Sequence, residues 1–526
     1  CVVFIILFSI FCIWVNHSFQ GNYWGPFLPG ELFGIPERES DMGMYATSKV
    51  GWDAQFYYYQ SNDILVTGDE YLHIDNPPYR YQKIGMPLIA RMVSLILGQK
   101  LTPPIVYHFM QFFIVSIGFF ILIRWLRKRN VNQMYAYAWI FSLGVINSLA
   151  YGMPDPVGDA FFIMSIVFAL NGNLIPYMVV TTFLLLVREG YSLYAAIIFI
   201  FTLLNKIQWN NMNKKKKIIF TMIPGIIVVL WMGYVTLRFG LNPITAGKHL
   251  TSKPFVDAVI KVINAIKSGN VGETLSTEFG IVLIIYCMYN IIKVRKSSYV
   301  WYAVLGYSIL VASLSSVVWA DYSGYMKALG SIIVAIIISM TYCNERKIIV
   351  TFLSIILVVQ SIGYNYYSKK DCIYTKFETN ISSDNTDYTE NNKIEKFDSE
   401  INSNIKKLSY NRTGLFKMFL RTIDEIDVTV TNKTDQEWYP SKENAINSIN
   451  VSYHIYDESG EKLISDGIRT QIVKNILPGE SEDIKVKIAR PSAKGKYIVR
   501  ISIVQEGVAW FYNRGGGYLD IPMEVE

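Results

Sequence analysis

The feature that most constrains this chain is a succession of apolar stretches of membrane-crossing length, each closed off by polar or basic residues. A helix needs roughly 20 apolar residues to cross a bilayer, with about 17 tolerated. About eleven stretches approach that requirement: residues 1–16, 104–126, 132–150, 156–170, 173–187, 190–205, 216–236, 278–294, 298–318, 325–342 and 347–365. The expected fold class is therefore a mostly α-helical polytopic membrane domain over residues 1–366, followed by an all-β domain.

The orientation follows from charge. Cytoplasmic ends of spanning helices carry the Lys/Arg excess, and the basic runs RWLRKR (124–129), NKKKK (213–217) and KVRK (293–296) all lie at the ends of apolar stretches. Residues 84–99 (IGMPLIARMVSLILGQ) are also apolar, but counting them as a span would put RWLRKR outside and invert every later loop. They are expected instead as an interfacial or half-buried helix. With residues 1–16 as the remainder of a first span starting inside, the long loop 17–103, the YGMPDPVG, VREG and WADYSGY turns, the loop 237–277 and everything after 366 face outward. This topology predicts a multi-pass protein of the plasma (inner) membrane with its C-terminal domain extracytoplasmic, and acidic and aromatic residues collect on that outer side.

Apolar residues make up 51% of the 526, while charges gather in short clusters and in the last third, the composition of a membrane domain joined to a water-soluble one. A net charge of +7, carried by those helix-end clusters, argues for a lipid bilayer as partner and against nucleic acid. The five cysteines (1, 12, 287, 343, 372) have neither metal-ligand spacing nor a disulfide pattern.

Residues 367–424 are rich in Asn, Ser, Asp, Lys and Thr and are expected as a linker with a short helix near 413–421. From 425 to 526, alternation marks strands at Ile426, Val428, Val430; at Val451, Tyr453, Ile455; at Ile484, Val486, Ile488; and at Tyr497, Val499, Ile501, Ile503. The turns DESGEK, LPGES and SAKGK separate them, as in an immunoglobulin-like antiparallel sandwich of about seven strands. Tyr497, two residues after Gly495, is in place for a tyrosine corner.

The first outer loop carries the chemistry. Asp53 lies between Trp52 and the run Phe56, Tyr57, Tyr58, Tyr59. A carboxylate near the membrane surface, flanked by rings that stack on sugars, is suited to accept a proton from a sugar hydroxyl; the same rings would also serve as an interfacial belt. Asp69, Glu70 and Asp75 are either a second carboxylate for substrate or metal, or solvated loop charges, and the latter is expected. Asp155 and Asp159, at a helix start, read first as N-terminal capping and dipole complementarity. His73 and His249 are expected as exposed polar residues.

The run WDAQFYYY, followed by DNPPYRYQKIGMPLIAR, MPDPVGDAFF at a helix start and LLLVREGYSL at a helix end, resembles the polyprenyl-phosphate-dependent membrane glycosyltransferases of the GT-C superfamily. It is closer still to a group of bacterial integral membrane proteins with DGQFYY and PAYRYQRI patterns. The resemblance covers residues 1–366 in architecture and about 50 residues in specific motifs. It implies that Asp53, the acidic residue of the first outer loop, acts as base or organises the acceptor. The paired acidic motif of that superfamily is absent, because Ala54 follows Asp53; no obligatory metal or other cofactor is expected.

A lipid-phosphate donor needs a cation at the membrane boundary, and Arg grips phosphate bidentately. The candidates are Arg80, Lys83, Arg188 and Lys327. Arg188 takes Glu189 or Asp155 as a partner, in a structural pair or a phosphate site, and Lys327 either binds phosphate or snorkels. Gln55, Tyr57, Tyr58, Tyr81, Asp155 and Glu189 complete the expected substrate-binding set. The tail resembles the β-sandwich domains appended to bacterial surface-polysaccharide enzymes, through IRT, LPGES and VQEGVAWF, with Trp438, Trp510, Phe511 and Tyr512 as a possible sugar platform.

The resulting expectation is an inverting transfer of a sugar from a polyprenyl-phosphate donor to a glycan, lipid or protein acceptor of the cell envelope. Two alternatives stand beside it. A transporter or flippase would call for internal repeats and mid-span charges, which are sparse here. An O-antigen-type polymerase or ligase would carry its large loop late in the chain.

Overall fold

A computed structural model describes residues 2–48, 51–210, 212–247, 250–269, 271–320, 322–342, 351, 393–410, 423–439, 447–460, 462–464, 467–491 and 494–526. Helix α1 (Val2–Phe19) leads into a folded segment containing α2 (Glu37–Asp41), α3 (Asp53–Asn62), α4 (Pro77–Tyr81) and α5 (Gly85–Ile96). Next come α6 (Pro104–Lys128), α7 (Tyr137–Ile140), α8 (Leu143–Ala150), α9 (Asp155–Leu170), α10 (Leu174–Val187), α11 (Ser192–Leu203) and α12 (Lys214–Phe239). The helical region closes with α13 (Pro243–Ala246), α14 (Val256–Lys267), α15 (Val271–Val294), α16 (Val300–Ala312), α17 (Ser316–Ala320) and α18 (Tyr322–Ser339).

Among the described residues, four helices are long and apolar enough to cross a membrane: Pro104–Lys128, Lys214–Phe239, Glu273–Ser297 and Gly324–Tyr342. Of the remaining apolar helices, α10, α11 and α16 are shorter than expected, whereas α1 runs 18 residues where 1–16 was expected. At 1.5 Å per residue, the 14 residues of α10 cover about 21 Å, short of a hydrocarbon core of roughly 30 Å. The expected span 132–150 is not one helix: it breaks into a 3-10 turn, α7 and α8, because Ser142 takes an extended ψ of 144°. The span expected over 298–318 stops at Ala312, and the one over 347–365 lies outside the described residues except for residue 351. Residues 84–99 do form a short amphipathic helix, with Met86, Ala90 and Ser94 buried and Ile96 82% exposed.

Burial orders these helices. α9 is buried on nearly every face, as is α18 from Tyr325 onward, the mark of central elements. α12 instead exposes Ile226, Ile227, Val229 and Leu230, an apolar flank larger than water tolerates well. The close approach of α6 to α9 rests on small residues, since a Cβ on Gly118 would lie 2.7 Å from that of Ala160.

The first loop is packed rather than extended. Ala54 through Asn62 are all buried, and Tyr58 accepts from Trp24 Nε1 (3.0 Å) while donating to the Thr102 carbonyl (2.8 Å). The C-terminal end of α12 pins the loop through backbone carbonyls. Trp231 Nε1 donates to Tyr81 (2.8 Å), Tyr234 to Leu65 (2.7 Å), and the fully buried Arg238 to Val66.

The C-terminal region holds β1 (Ser399–Asn402), β2 (Leu408–Tyr410), β3 (Ile423–Asn432), β4 (Ile449–Asp457) and β5 (Lys462–Ile464), then β6 (Thr470–Gln471), β7 (Ser481–Ala489), β8 (Gly495–Gln505), β9 (Ala509–Trp510) and β10 (Tyr518–Val525). One sheet has the order β1-β3-β7 and the other β2-β10-β8-β4-β5, with β6 on β4 and β9 on β8. All four runs of alternation expected as strands are strands. The expected boundary at 425 is too late, because β1 pairs with β3 and β2 with β10 from inside the stretch expected as linker. Strands of four and three residues, burying Ile401 and Leu408 on opposite sheets, leave too little periodicity to stand out. The helix expected near 413–421 lies outside the described residues.

Candidate functional site

Trp52 is extended (φ −130°, ψ 159°) and hands the chain into α3, whose first residue is Asp53. A carboxylate there complements the helix dipole and remains 37% exposed at its side chain, although the rest of α3 is buried. The Asn76 carboxamide caps α4, with Pro77 and Pro78 in its first turn, and so presents Arg80 back toward α3. Arg80 Nη2 lies 2.9 Å from Asp53 Oδ1. The same guanidinium donates to Asp75 through Nε (2.8 Å) and Nη2 (2.6 Å), and its carbon sits 5.0 Å from the centre of the Phe56 ring.

Three more cations surround this pair. Lys83 Nζ is 3.5 Å from Glu189 Oε1, donates to the Tyr79 hydroxyl and lies 4.0 Å from the centre of that ring. Arg188 Nη1 is 3.2 Å from Asp155 Oδ1. Of the two partners open to Arg188 in the sequence, it takes Asp155, and Glu189 goes to Lys83. Lys327 Nζ lies 5.2 Å from the centre of the Trp52 ring, and among the described residues no ion pair closes on it. Burial pushes the Asp53 pKa up, but Arg80, Lys327 and Lys83 outweigh it and hold the carboxyl at about 2.

The site thus brings together Asp53, Arg80, Lys83, Asp155, Arg188, Glu189 and Lys327. Three residues expected to bind substrate are occupied as scaffold. Gln55 accepts from the Gly30 amide (2.9 Å), Tyr58 bridges Trp24 and Thr102, and Tyr81 donates to the Asp63 carbonyl (3.1 Å). All three are fully buried, whereas Tyr57, also buried, turns its ring toward Arg80 at 5.9 Å.

Sequence reasoning undervalued two acidic positions. Asp75, though exposed as expected of a loop charge, is also the second carboxylate on Arg80. Glu70, 1% exposed, pairs with Arg38, and the buried Glu39 accepts from Asn62 Nδ2 (2.6 Å). Burial, then each other's charge, pushes Glu39 up to about 8, while burial and the nearby Asp63 bring Glu70 to about 7. The local signal was the alternation of acid and base in PERESD, which reads equally well as a solvated face.

Asp155 stands in the first turn of α9 without capping it by its side chain. Asp159, one turn on, accepts from Trp139 Nε1 (3.2 Å) and Tyr191 (3.3 Å). His73 Nδ1 is held 2.7 Å from the Phe33 carbonyl, and His249 lies outside the described residues. Among the described residues, no group of three or more His, Cys, Asp or Glu is arranged to hold a metal ion. In the strand-rich domain Trp438 and Phe511 are core, and Trp510 and Tyr512 are half-buried.

Fold and site together define a helix-rich chain with candidate membrane spans, a strand-rich C-terminal domain and a carboxylate held inside a ring of cations. Comparison with family models, curated proteins and solved structures finds no match to the chain.

Proposed function

We propose that this chain is a membrane glycosyltransferase of GT-C type that moves a sugar from a polyprenyl-phosphate donor to a cell-envelope acceptor on the extracytoplasmic face. The observation that carries the reading is the partly exposed Asp53 carboxylate, fixed by Arg80 and acted on by Lys327 and Lys83, with Arg188 next in sequence to Glu189, the partner of Lys83. The acceptor hydroxyl donates a hydrogen bond to Asp53, and its oxygen attacks the anomeric carbon. As the new C–O bond forms, the bond to the lipid phosphate breaks with its electron pair passing to the phosphate, and the hydroxyl proton passes to Asp53.

A carboxylate held near 2 is a weak base, so most of its contribution is to orient the nucleophile and stabilise its developing positive charge; the proton moves late. The four acids Asp53, Asp75, Asp155 and Glu189 balance the four bases Arg80, Lys83, Arg188 and Lys327, 4 − 4 = 0. An incoming phosphate therefore meets a neutral centre whose one cation free of a described ion pair is Lys327.

The orientation is supported by parity. The α12 end at Arg238 touches the first loop, as does the strand-rich domain, where the Arg490 carbonyl accepts from Tyr71. Loop, α12 end and C-terminal domain then share one face, and RWLRKR, NKKKK and KVRK fall on the other, where cytoplasmic charge belongs. An arrangement of about eleven spans in a plasma membrane, three or more of them short, broken or shielded, fits both observations, with an immunoglobulin-like sandwich outside.

The test is transfer by protein in nanodiscs supplied with a panel of polyprenyl-phosphate sugars and envelope acceptors. Asp53→Asn is expected to lose transfer by about 10²–10⁴-fold with an unchanged circular dichroism spectrum. Full activity of that variant refutes the assignment, and lipid flipping without transfer would favour the transporter alternative.

A further inference from the structure

A hydrogen bond between the first loop and the strand-rich domain has both of its ends anchored. Tyr71, in the 3-10 turn Glu70–His73, is 1% exposed and donates its hydroxyl to the Arg490 carbonyl. Arg490 follows β7 directly. Its guanidinium pairs with Asp424 on β3 and lies 3.9 Å from the centre of the Tyr410 ring on β2, so the ends of three strands fix the accepting carbonyl. On the loop side, the Tyr71 ring stands edge-on to Phe239, the last residue of α12, with centroids 5.9 Å apart. The charge of Asp69 also reaches the domain: after burial, it is the largest influence raising the Tyr497 phenol on β8.

Four residues beyond Tyr71 comes Asp75, the carboxylate that grips Arg80 through Nε and Nη2. The stretch between them is held at its middle by His73 on the Phe33 carbonyl and at its start by Glu70 on Arg38. Four residues reach at most about 14 Å, so Tyr71 and Asp75 sit on one short, anchored stretch.

We propose that the strand-rich domain is seated on the first loop as part of the site, with Tyr71 and Arg490 as positioning residues that hold Asp75, and through it Arg80, against Asp53. The seat stands on geometry alone; its consequence for transfer rests on the function proposed above. The domain is then a structural arm of the reaction centre rather than a tethered accessory, and loosening it withdraws positive charge from Asp53.

The experiment uses the full chain in nanodiscs. A photoreactive benzoylphenylalanine at the half-buried position 69, which leaves the Tyr71 hydroxyl in place, is expected to cross-link, on irradiation, to the peptide 495–505. Tyr71→Phe and Asp424→Asn, which loosen the seat from opposite sides, are each expected to speed amide exchange several-fold over residues 74–82. Each should also move the acid limb of the transfer pH profile upward, as Asp53 loses part of the charge that depresses it. Absence of the cross-link overturns the seat. A cross-link with exchange over 74–82 unchanged in both variants overturns the positioning role. If the wild type transfers no sugar, the function fails while cross-link and exchange still decide the seat.

Discussion

The Arg80 guanidinium is shared between Asp53 and Asp75, with Nη2 reaching Asp53 Oδ1 at 2.9 Å and Asp75 Oδ2 at 2.6 Å from a side chain that is 8% exposed. One buried cation therefore sets both the direction and the basicity of Asp53. Breaking such a pair from one side leaves the remaining charges uncompensated.

Arg80→Lys keeps the charge but loses the planar fork that spans two carboxylates. It is expected to lower transfer by at least about 10²-fold, as misplacement at a reacting centre does, while the chain still inserts. Activity within a factor of about two of wild type would argue that Asp53 needs no such orientation.

The pH dependence follows from the depressed Asp53. With a folded pKa of about 2 against an ordinary value of 3.8, its stabilisation is present above 3.8 and is lost as pH falls through about 2. Transfer should show no acid limb from Asp53 across the neutral range. Lys327→Met removes the second-ranked cation acting on Asp53 and should shift the acid limb upward, read from kcat/KM between pH 3 and 8.

Glu39 works in the opposite direction. Raised from 4.5 to about 8 by burial and then by the charge of Glu70, it contributes stability that is full below 4.5 and is lost as pH rises through about 8. The wild-type melting temperature should fall from pH 5 to pH 9. Glu39→Gln should flatten most of that slope, leaving the smaller contribution of Glu70. Equal slopes in the two proteins would contradict the buried proton.

Arg238 tests the α12 anchor. It is fully buried and donates to the carbonyl of Val66, a β-branched residue held at φ +51°. Arg238→Met leaves that carbonyl without its donor and should cost about 1–3 kcal/mol. Thermal unfolding measures the loss, and amide exchange over residues 62–67 should rise first.

The sequence made parts of this legible for identifiable reasons. The strands at 426–430 and 484–488 bury alternate residues, so period two was visible; at 451–455 every residue is buried and only the alternation of apolar with polar side chains (Ser452, His454) showed; β1 and β2 pair through backbone at domain edges and leave almost no side-chain pattern. Asp53 stood out because an acid among rings is unusual, and Arg80 because phosphate chemistry asks for a cation. Gln55, Tyr58 and Tyr81 looked like ligands because their polar atoms are the same whether they face a substrate or a backbone carbonyl. Asp75 and Glu70 were undervalued for the converse reason: nothing local in VTGDEYLHIDN separates a buried ion pair from a solvated charge. Helix lengths were overestimated where apolar composition continues past a backbone break, as at Ser142 and Ser313.

The account depends on the Asp53 centre facing the side opposite the basic clusters, where lipid-carried sugars are presented. In right-side-out membrane vesicles, with native cysteines replaced, a membrane-impermeant maleimide should modify Tyr45→Cys, whose position is 58% exposed in the first loop, without permeabilisation. Lys215→Cys, in the NKKKK cluster, should react only after the membrane is opened. The reverse pattern would place Asp53 on the cytoplasmic face and contradict both the orientation and the proposed transfer.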